Sequence, residues 1–205
     1  MAITEQIGRG GRFLLGLVVR GLAATGLHPN FFTFFGLVVN TAAAVAFGYG
    51  HFFTGGLIIL GAAVFDLTDG PLARLTGRVS RFGGFFDSVI DRYSDLALYF
   101  GLLVYYARAN RFFYVVLTAL AMTGSVMVSY TRARAESLIP SCKVGFLERP
   151  ERIVLLIIGA LANRMAPVLW VIAVLSNVTV IHRIIYTWQT TKAGESQSSS
   201  SSSAP

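Results

Sequence analysis

Apolar residues fall along this chain in six long runs separated by short polar segments, each near the roughly 20 residues that a bilayer-spanning helix needs. The runs lie at about 31–49, 52–69, 84–107, 112–134, 149–164 and 166–187. They predict an all-α, polytopic membrane protein with six transmembrane helices. The fifth run has the shortest apolar core, IVLLIIGALAN, and makes a full crossing only with its polar start RPER, where Pro150 suits a first helical turn. Ahead of the first run, Ile3, Ile7, Leu14, Leu17, Val18 and Leu22 share one helical arc and Arg9, Arg12 and Arg20 lie opposite. That pattern predicts an N-terminal interfacial amphipathic helix within residues 1–28, although Phe13 departs from it and Gly8, Gly10, Gly11 and Gly16 weaken it. Behind the last run, residues 188–205 end in a Ser-rich stretch with no apolar face and read as a disordered cytoplasmic tail. The six-helix domain then occupies residues 29–187.

Composition excludes a soluble domain: of 205 residues 54% are hydrophobic and 13% charged, with a mean hydropathy of +0.63. Arg9, Arg12, Arg20, Arg74, Arg78, Arg81, Arg132, Arg134, Lys143, Arg149, Arg152, Arg183 and Lys192 fall on one side of the predicted topology, against Arg108, Arg111 and Arg164 on the other. The positive-inside rule makes the first side cytoplasmic, so both termini face the cytoplasm from a cell (inner) membrane. The net charge of +7 has no soluble basic domain to present it to nucleic acid, and anionic lipid or phosphorylated substrates suit it better. A single cysteine, Cys142, excludes an intrachain disulfide or a cysteine metal cluster and reads as packing.

Four carboxylates interrupt the apolar pattern. Asp66 and Asp69 stand three apart at the end of the second run, and Asp87 and Asp91 four apart at the start of the third, so each pair shares a helical face. A short loop carrying Arg74, Arg78 and Arg81 with Gly70, Gly77, Gly83 and Gly84 is expected between them. Four acids meeting across a helical hairpin at the membrane edge need compensating positive charge, and a divalent metal supplies it most simply. From the acids alone, a polar helix interface or a proton or cation pathway stays open. Asp95, four beyond Asp91, reads as an interhelical partner, for instance for Arg92.

Read together, Asp66-x-x-Asp69-Gly70-x-x-Ala73-Arg74, eight further residues, and Gly83-x-x-x-Asp87-x-x-x-Asp91 resemble the signature of the CDP-alcohol phosphotransferase family, with every position filled. The resemblance covers most of residues 29–187 and implies a six-helix membrane enzyme with a cytoplasm-facing site, acting as a homodimer. It implies that Asp66, Asp69, Asp87 and Asp91 hold two divalent ions, Mg2+ or Mn2+, and that Asp91 also accepts the proton of the acceptor hydroxyl. Gly70, Ala73, Arg74 and Gly83 would line the site for the CDP-lipid, and Asn30 and Thr33, in the element PNxxT, would close it. On local pattern alone, Asn30 reads as the cap of the first span.

Further on, SYTRARAE followed by VGFLERPER is most like the inositol-phosphate branch of that family, the phosphatidylinositol phosphate synthases of bacteria and their archaeal relatives. By this resemblance Arg132, Arg152 and Arg183 would receive the acceptor phosphate, with Ser129 and Arg149 as further contacts. Arg132 stands where a lysine is expected in the branch, which keeps the charge and changes the hydrogen-bond geometry. The reading is thus a phospholipid-biosynthetic transferase moving a phosphatidyl group from CDP-diacylglycerol, or a similar CDP-lipid, to inositol phosphate with release of CMP. Glycerol 3-phosphate as acceptor, giving phosphatidylglycerol phosphate, is the alternative, and a cation or proton transporter is the more distant one.

Overall fold

The computed structural model describes residues 16–201, apart from the side chains of Val64, Leu67, Asp69 and residues 194–201. Helical backbone covers residues 16–24 (α1), and six helices follow: α2 (Pro29–Gly48), α3 (Phe52–Leu75), α4 (Arg81–Arg108), α5 (Phe112–Ala135), α6 (Arg149–Leu161) and α7 (Met165–Ser201). Among the described residues there is no strand. Each predicted run falls mainly on one of these six helices, with residue 49 of the first and 162–164 of the fifth beyond the helix ends. Among the described residues three segments, Pro29–Gly48, Phe112–Ala135 and Met165–Ala193, are long and apolar enough to cross a membrane, and Phe52–Ala63 is a shorter apolar stretch. The chain is a multi-pass membrane protein. On α2 the outer surface carries Phe31, Phe34, Phe35, Val38 and Val45, all exposed, which suits lipid as the surrounding solvent. Helix hydroxyls inside the apolar segments are satisfied on the spot: Thr118 and Ser125 donate to the carbonyls of Tyr114 and Ala121 one turn back.

Several boundaries differ from those predicted, each for a local reason. α3 does not stop at 69 but carries Pro71 within it and runs on to Leu75. Most of the expected loop between the acid pairs is therefore helix, Arg74 sits in the last turn of α3, and only residues 76–80 connect to α4. The cap of α2 is His28, whose Nδ1 accepts from the Asn30 amide at 3.2 Å. Pro29 fits the first helical position, so the cap falls earlier than expected and the Asn30 side chain is left for another use. α6 keeps its Pro150 start but has 13 residues, a rise of about 20 Å against a hydrocarbon core of about 30 Å. At the other end, α7 continues to Ser201 where a disordered tail was expected from 188. Thr190 and Thr191 turn their hydroxyls back to the carbonyls of Tyr186 and Thr187, and Lys192 lies 5.4 Å from the Trp188 ring centre, so this polar stretch has helical partners of its own.

The chain divides into two compact units, Met1–Gly101 and Leu102–Pro205. In the first, α2 packs on α3, with Ala43, Phe47, Ile59, Leu98 and Tyr99 buried. A Cβ on Gly101 would stand 2.1 Å from the Ala44 carbonyl oxygen, so α4 meets α2 backbone to backbone there. Of the expected interfacial helix, the part up to residue 15 lies outside the described residues. In the described part Leu17 and Val18 are exposed, whereas Val19 is buried in a cluster with Phe32 and Leu72. In the second unit α7 packs against α5 and α6, around Leu117, Ala121, Leu156, Leu169 and Ile172.

Candidate active site

The first unit holds a cavity of about 260 Å³ where the signature residues of α3 and α4 meet the start of α2. Asn30, Thr33, Gly70, Ala73, Arg74 and Gly83, the six positions expected around a nucleotide, all line it, together with Asp87. Asn30 and Thr33 come from the first turns of α2, which begins at the early His28 cap. Gly70, Ala73 and Arg74 come from the part of α3 beyond its expected end. Gly83 opens α4, where its amide donates to Ser80 Oγ at 2.9 Å, and a Cβ on Gly83 would lie 3.0 Å from that oxygen and 3.4 Å from Asn30 Oδ1. Small residues thus keep the walls thin where a ligand needs backbone contact, and Arg74 supplies a fixed positive charge.

Asp66 lies on α3 half-buried, with its Oδ1 3.1 Å from where a Cβ on Gly36 would be. Asp87 and Asp91 lie half-buried on α4, one turn apart. The Asp69 side chain lies outside the described residues, and among the described residues no three carboxylate, imidazole or thiol groups form a ready metal cage. What fits a divalent cation is the chemistry of the donor set: hard carboxylate oxygens from two helices, Asp87 among them on the wall of a cavity that also carries Arg74. Asp95 is 5% exposed, and Arg92, its suggested partner, donates Nη1 to the Ser88 carbonyl on its own helix.

Two further lining residues, Arg78 and Ser80, were not singled out as site residues from sequence. Arg78 donates Nη1 to the carbonyls of Gly26 and Leu27 at 3.0 and 3.2 Å, which ties the loop after α1 to the rim of the cavity it also lines. Ser80 accepts the Gly83 amide as described above. The signal for Arg78 was present in the chain as a basic residue between the acid pairs, but its partners are carbonyls about fifty positions away and invisible to spacing.

The second unit gathers the cations expected at the acceptor. Arg183 is 1% exposed and Arg152 also 1%. Arg183 donates Nε to Val144 O at 2.8 Å, Nη1 to Val128 O and Nη2 to Glu148 Oε1 at 3.1 Å. Arg132 donates Nη1 to that same Glu148 oxygen at 3.1 Å and Nε to Glu136 Oε1 at 3.2 Å. Arg152 donates Nη1 to Leu147 O at 3.5 Å, one residue before Glu148. Arg149 opens α6 and Ser129 lies half-buried on α5. Glu136 also accepts from the Cys142 amide at 3.3 Å, and this bond together with Arg132 holds its carboxyl below the usual carboxylate range.

A loop sets this arrangement. Gly145 has φ +124°, and a Cβ there would be 2.3 Å from Thr179 Cγ2, so the position requires glycine twice over. Its neighbour Phe146 donates its amide to Thr179 Oγ1 at 3.1 Å, while Ala135, Ile139 and the buried Cys142 form a cluster flanked by Val144 and Tyr186. Cys142 is packing, as its environment requires. Glu136 and Glu148, which share the cations out, stand in the stretches SYTRARAE and VGFLERPER but carry no assigned role in the sequence reading, because a carboxylate among many arginines reads as ordinary surface charge.

Comparison with known proteins places these features in a family. The sequence profile described as CDP-alcohol phosphatidyltransferase matches residues 26–189. The archaetidylinositol phosphate synthase of Methanothermobacter thermautotrophicus is 37% identical over 172 residues, covering 81% of this chain and 86% of that protein. The crystal structure of Mycobacterium tuberculosis phosphatidylinositol phosphate synthase with CDP-DAG bound superposes with a TM-score of 0.79 at 32% identity, covering 85% of this chain and 93% of that one. The structure of the same mycobacterial enzyme in complex with manganese and citrate gives a TM-score of 0.76 over 85% of this chain and 88% of its own. The chain therefore belongs to the CDP-alcohol phosphatidyltransferase family.

Proposed function

We propose that this protein transfers the phosphatidyl-type group of CDP-diacylglycerol, or of a similar CDP-lipid, to inositol phosphate and releases CMP. Family membership and the signature cavity support the donor half. A phosphorylated acceptor is supported by one observation, that Arg132 and Arg183 both donate to a single anionic oxygen, and inositol phosphate in particular by the relatives. Donors arranged in this way suit the oxygens of a phosphate, and a neutral polyol has nothing equivalent to offer. The archaeal and bacterial relatives differ in the lipid named in their product and share inositol phosphate, which agrees with an acceptor site less variable than the lipid.

In this reading Asn30, Thr33, Gly70, Ala73 and Gly83 seat the cytidine and its ribose, and Arg74 pairs with a pyrophosphate oxygen. Asp66, Asp69, Asp87 and Asp91 would hold divalent ions, two of them, with Mg2+ the expected species and Mn2+ the alternative. Such ions offset charge developing on the phosphorus and on the departing nucleotide. The acceptor hydroxyl oxygen bonds to the lipid-linked phosphorus, the bond from that phosphorus to the bridging pyrophosphate oxygen breaks, and CMP leaves. Asp91 takes the hydroxyl proton as the new bond forms; its carboxylate need accept it only in the course of attack. Arg132, Arg152 and Arg183, with Ser129 and Arg149, hold the phosphate of the acceptor. Six crossings, an N-terminal interfacial helix, a cytoplasmic site in a cell (inner) membrane and a homodimer complete the proposal, the last from family resemblance.

The test is release of CMP from CDP-diacylglycerol by the purified protein, with magnesium or manganese, comparing inositol phosphate with glycerol 3-phosphate. Lipid product from inositol phosphate is expected. A preference for glycerol 3-phosphate would overturn the acceptor, and metal-independent turnover would overturn the role of the aspartates.

A further inference from the structure

Glu148 occupies an unusual position for an N-cap residue. It caps α6 in extended backbone geometry, yet its side chain makes no capping bond. Instead its Oε1 accepts from Arg132 Nη1 and from Arg183 Nη2, each at 3.1 Å. The Arg183 side chain is 1% exposed and the Glu148 side chain 44% exposed, so a fixed buried cation is paired with an anion that reaches it from the solvent side. The two guanidinium groups differ in what else holds them. Arg183 is anchored by the carbonyls of Val144 and Val128, and Arg132 by Glu136. Neither depends on Glu148 alone for its placement.

Resting on the reading of these arginines as the seat of the acceptor phosphate, we propose that Glu148 is a displaceable internal anion, its Oε1 standing where a phosphate oxygen binds. An empty pocket with a buried arginine faces the cost of an unpaired cation, and Glu148 offsets that cost until substrate arrives. A phosphate dianion brings more charge and several acceptor oxygens, so it displaces a single carboxylate oxygen; a neutral hydroxyl cannot. The released carboxylate has a place to go, because it stays at the N-terminus of α6, where Pro150 leaves the Glu151 amide as the capping donor and the helix dipole favours negative charge. Glu148 thereby sets a threshold that favours phosphorylated over free polyols, and it lowers the apparent affinity for every anion by the same competition. Its role is specificity by competition, distinct from bracing.

The two roles predict opposite signs. If Glu148 competes, Glu148→Gln removes the competitor while keeping size and one acceptor oxygen, and inorganic phosphate binds roughly three- to tenfold tighter. If it braces the arginines, the same change loosens them and phosphate binds more weakly. Titration calorimetry of inorganic phosphate into the purified full chain in detergent at fixed ionic strength reads the difference. Glu148→Asp, one methylene shorter, serves as second variant should the glutamine form not fold; its weakened bridge gives a smaller gain of the same sign. Unchanged or weaker phosphate binding in a folded variant overturns the proposal. Competition by inositol phosphate, run in parallel, keeps the two readings apart: tighter inorganic phosphate with no competition from inositol phosphate removes the acceptor assignment and leaves the displacement standing.

Discussion

The proposed donor region in the first unit and the proposed acceptor region in the second are built on opposite plans. The donor region is a cavity walled by glycine, alanine and short polar side chains, with carboxylates carried on two consecutive helices. The acceptor region is already filled: its arginines lie among backbone carbonyls and two glutamates, two of them almost wholly buried. A nucleotide is large and needs room, so its site is specified by what is absent. A phosphate is small and highly charged, so its site is specified by donors fixed in advance, whose charge must be balanced while the site waits.

The largest test of this contrast lies on the donor side. Asp91→Asn should lower CMP release by roughly 10³-fold or more with the helical circular dichroism intact, because the proposed proton acceptor and the proposed metal ligand are lost together. If activity survives, the donor plan is wrong. On the acceptor side, Arg183→Lys keeps a charge but cannot serve Val144, Val128 and Glu148 from one planar fork. A rise of about 100-fold in the KM for inositol phosphate, with CDP-lipid binding unaltered, is expected from steady-state kinetics. A matching loss of CDP-lipid binding would erase the division between the regions.

Smaller effects sharpen it. Gly145→Ala places a Cβ against Thr179 at a left-handed φ and should cost about 2 kcal/mol, seen as a lower unfolding temperature with a weaker acceptor site. Arg78→Ala frees the carbonyls of Gly26 and Leu27 and should raise the KM for CDP-lipid about fivefold while leaving acceptor KM alone. The smallest effect is in pH. Glu136 has its carboxyl lowered from 4.5 in the folded chain by the Cys142 amide and Arg132. Its contribution to stability is thus present above that value and is lost as pH falls through the lower, folded one. Acid unfolding curves of Glu136→Gln should be flatter below about pH 4.5 than those of the natural chain.

The same contrast governs what was legible in the sequence. Donor residues sit on neighbouring helices at fixed spacing, so Asp66 through Asp91 stand out from the order of residues alone. Their surroundings were harder to read: the apolar run ends at about 69 and a loop is expected after it, yet α3 continues through Pro71 and delivers Arg74 in its last turn. The proposed acceptor site joins α5, a loop, α6 and α7. Spacing along the chain cannot reveal that Arg132 and Arg183 share one oxygen, and only family resemblance pointed to them. Glu148 stands within the VGFLERPER stretch that carries the resemblance, yet spacing gives no sign that it pairs with both. Helices α2 and α5 were plain from apolar length, whereas the helical continuation of α7 rests on local hydroxyl bonds that composition hides.

One packing detail near the N-terminus bears on how the protein can be cut. The family profile begins at residue 26, which invites the view that everything ahead of it is dispensable. Val19, however, is 5% exposed against Phe32 and Leu72, and these two precede the cavity residues Thr33 and Ala73 by a single position each. A chain shortened to the family boundary would leave Phe32 and Leu72 without the cover of Val19 and would put the Gly26 carbonyl that Arg78 holds at its very terminus. The segment ahead of the family boundary is in that sense a brace behind the helices that wall the cavity.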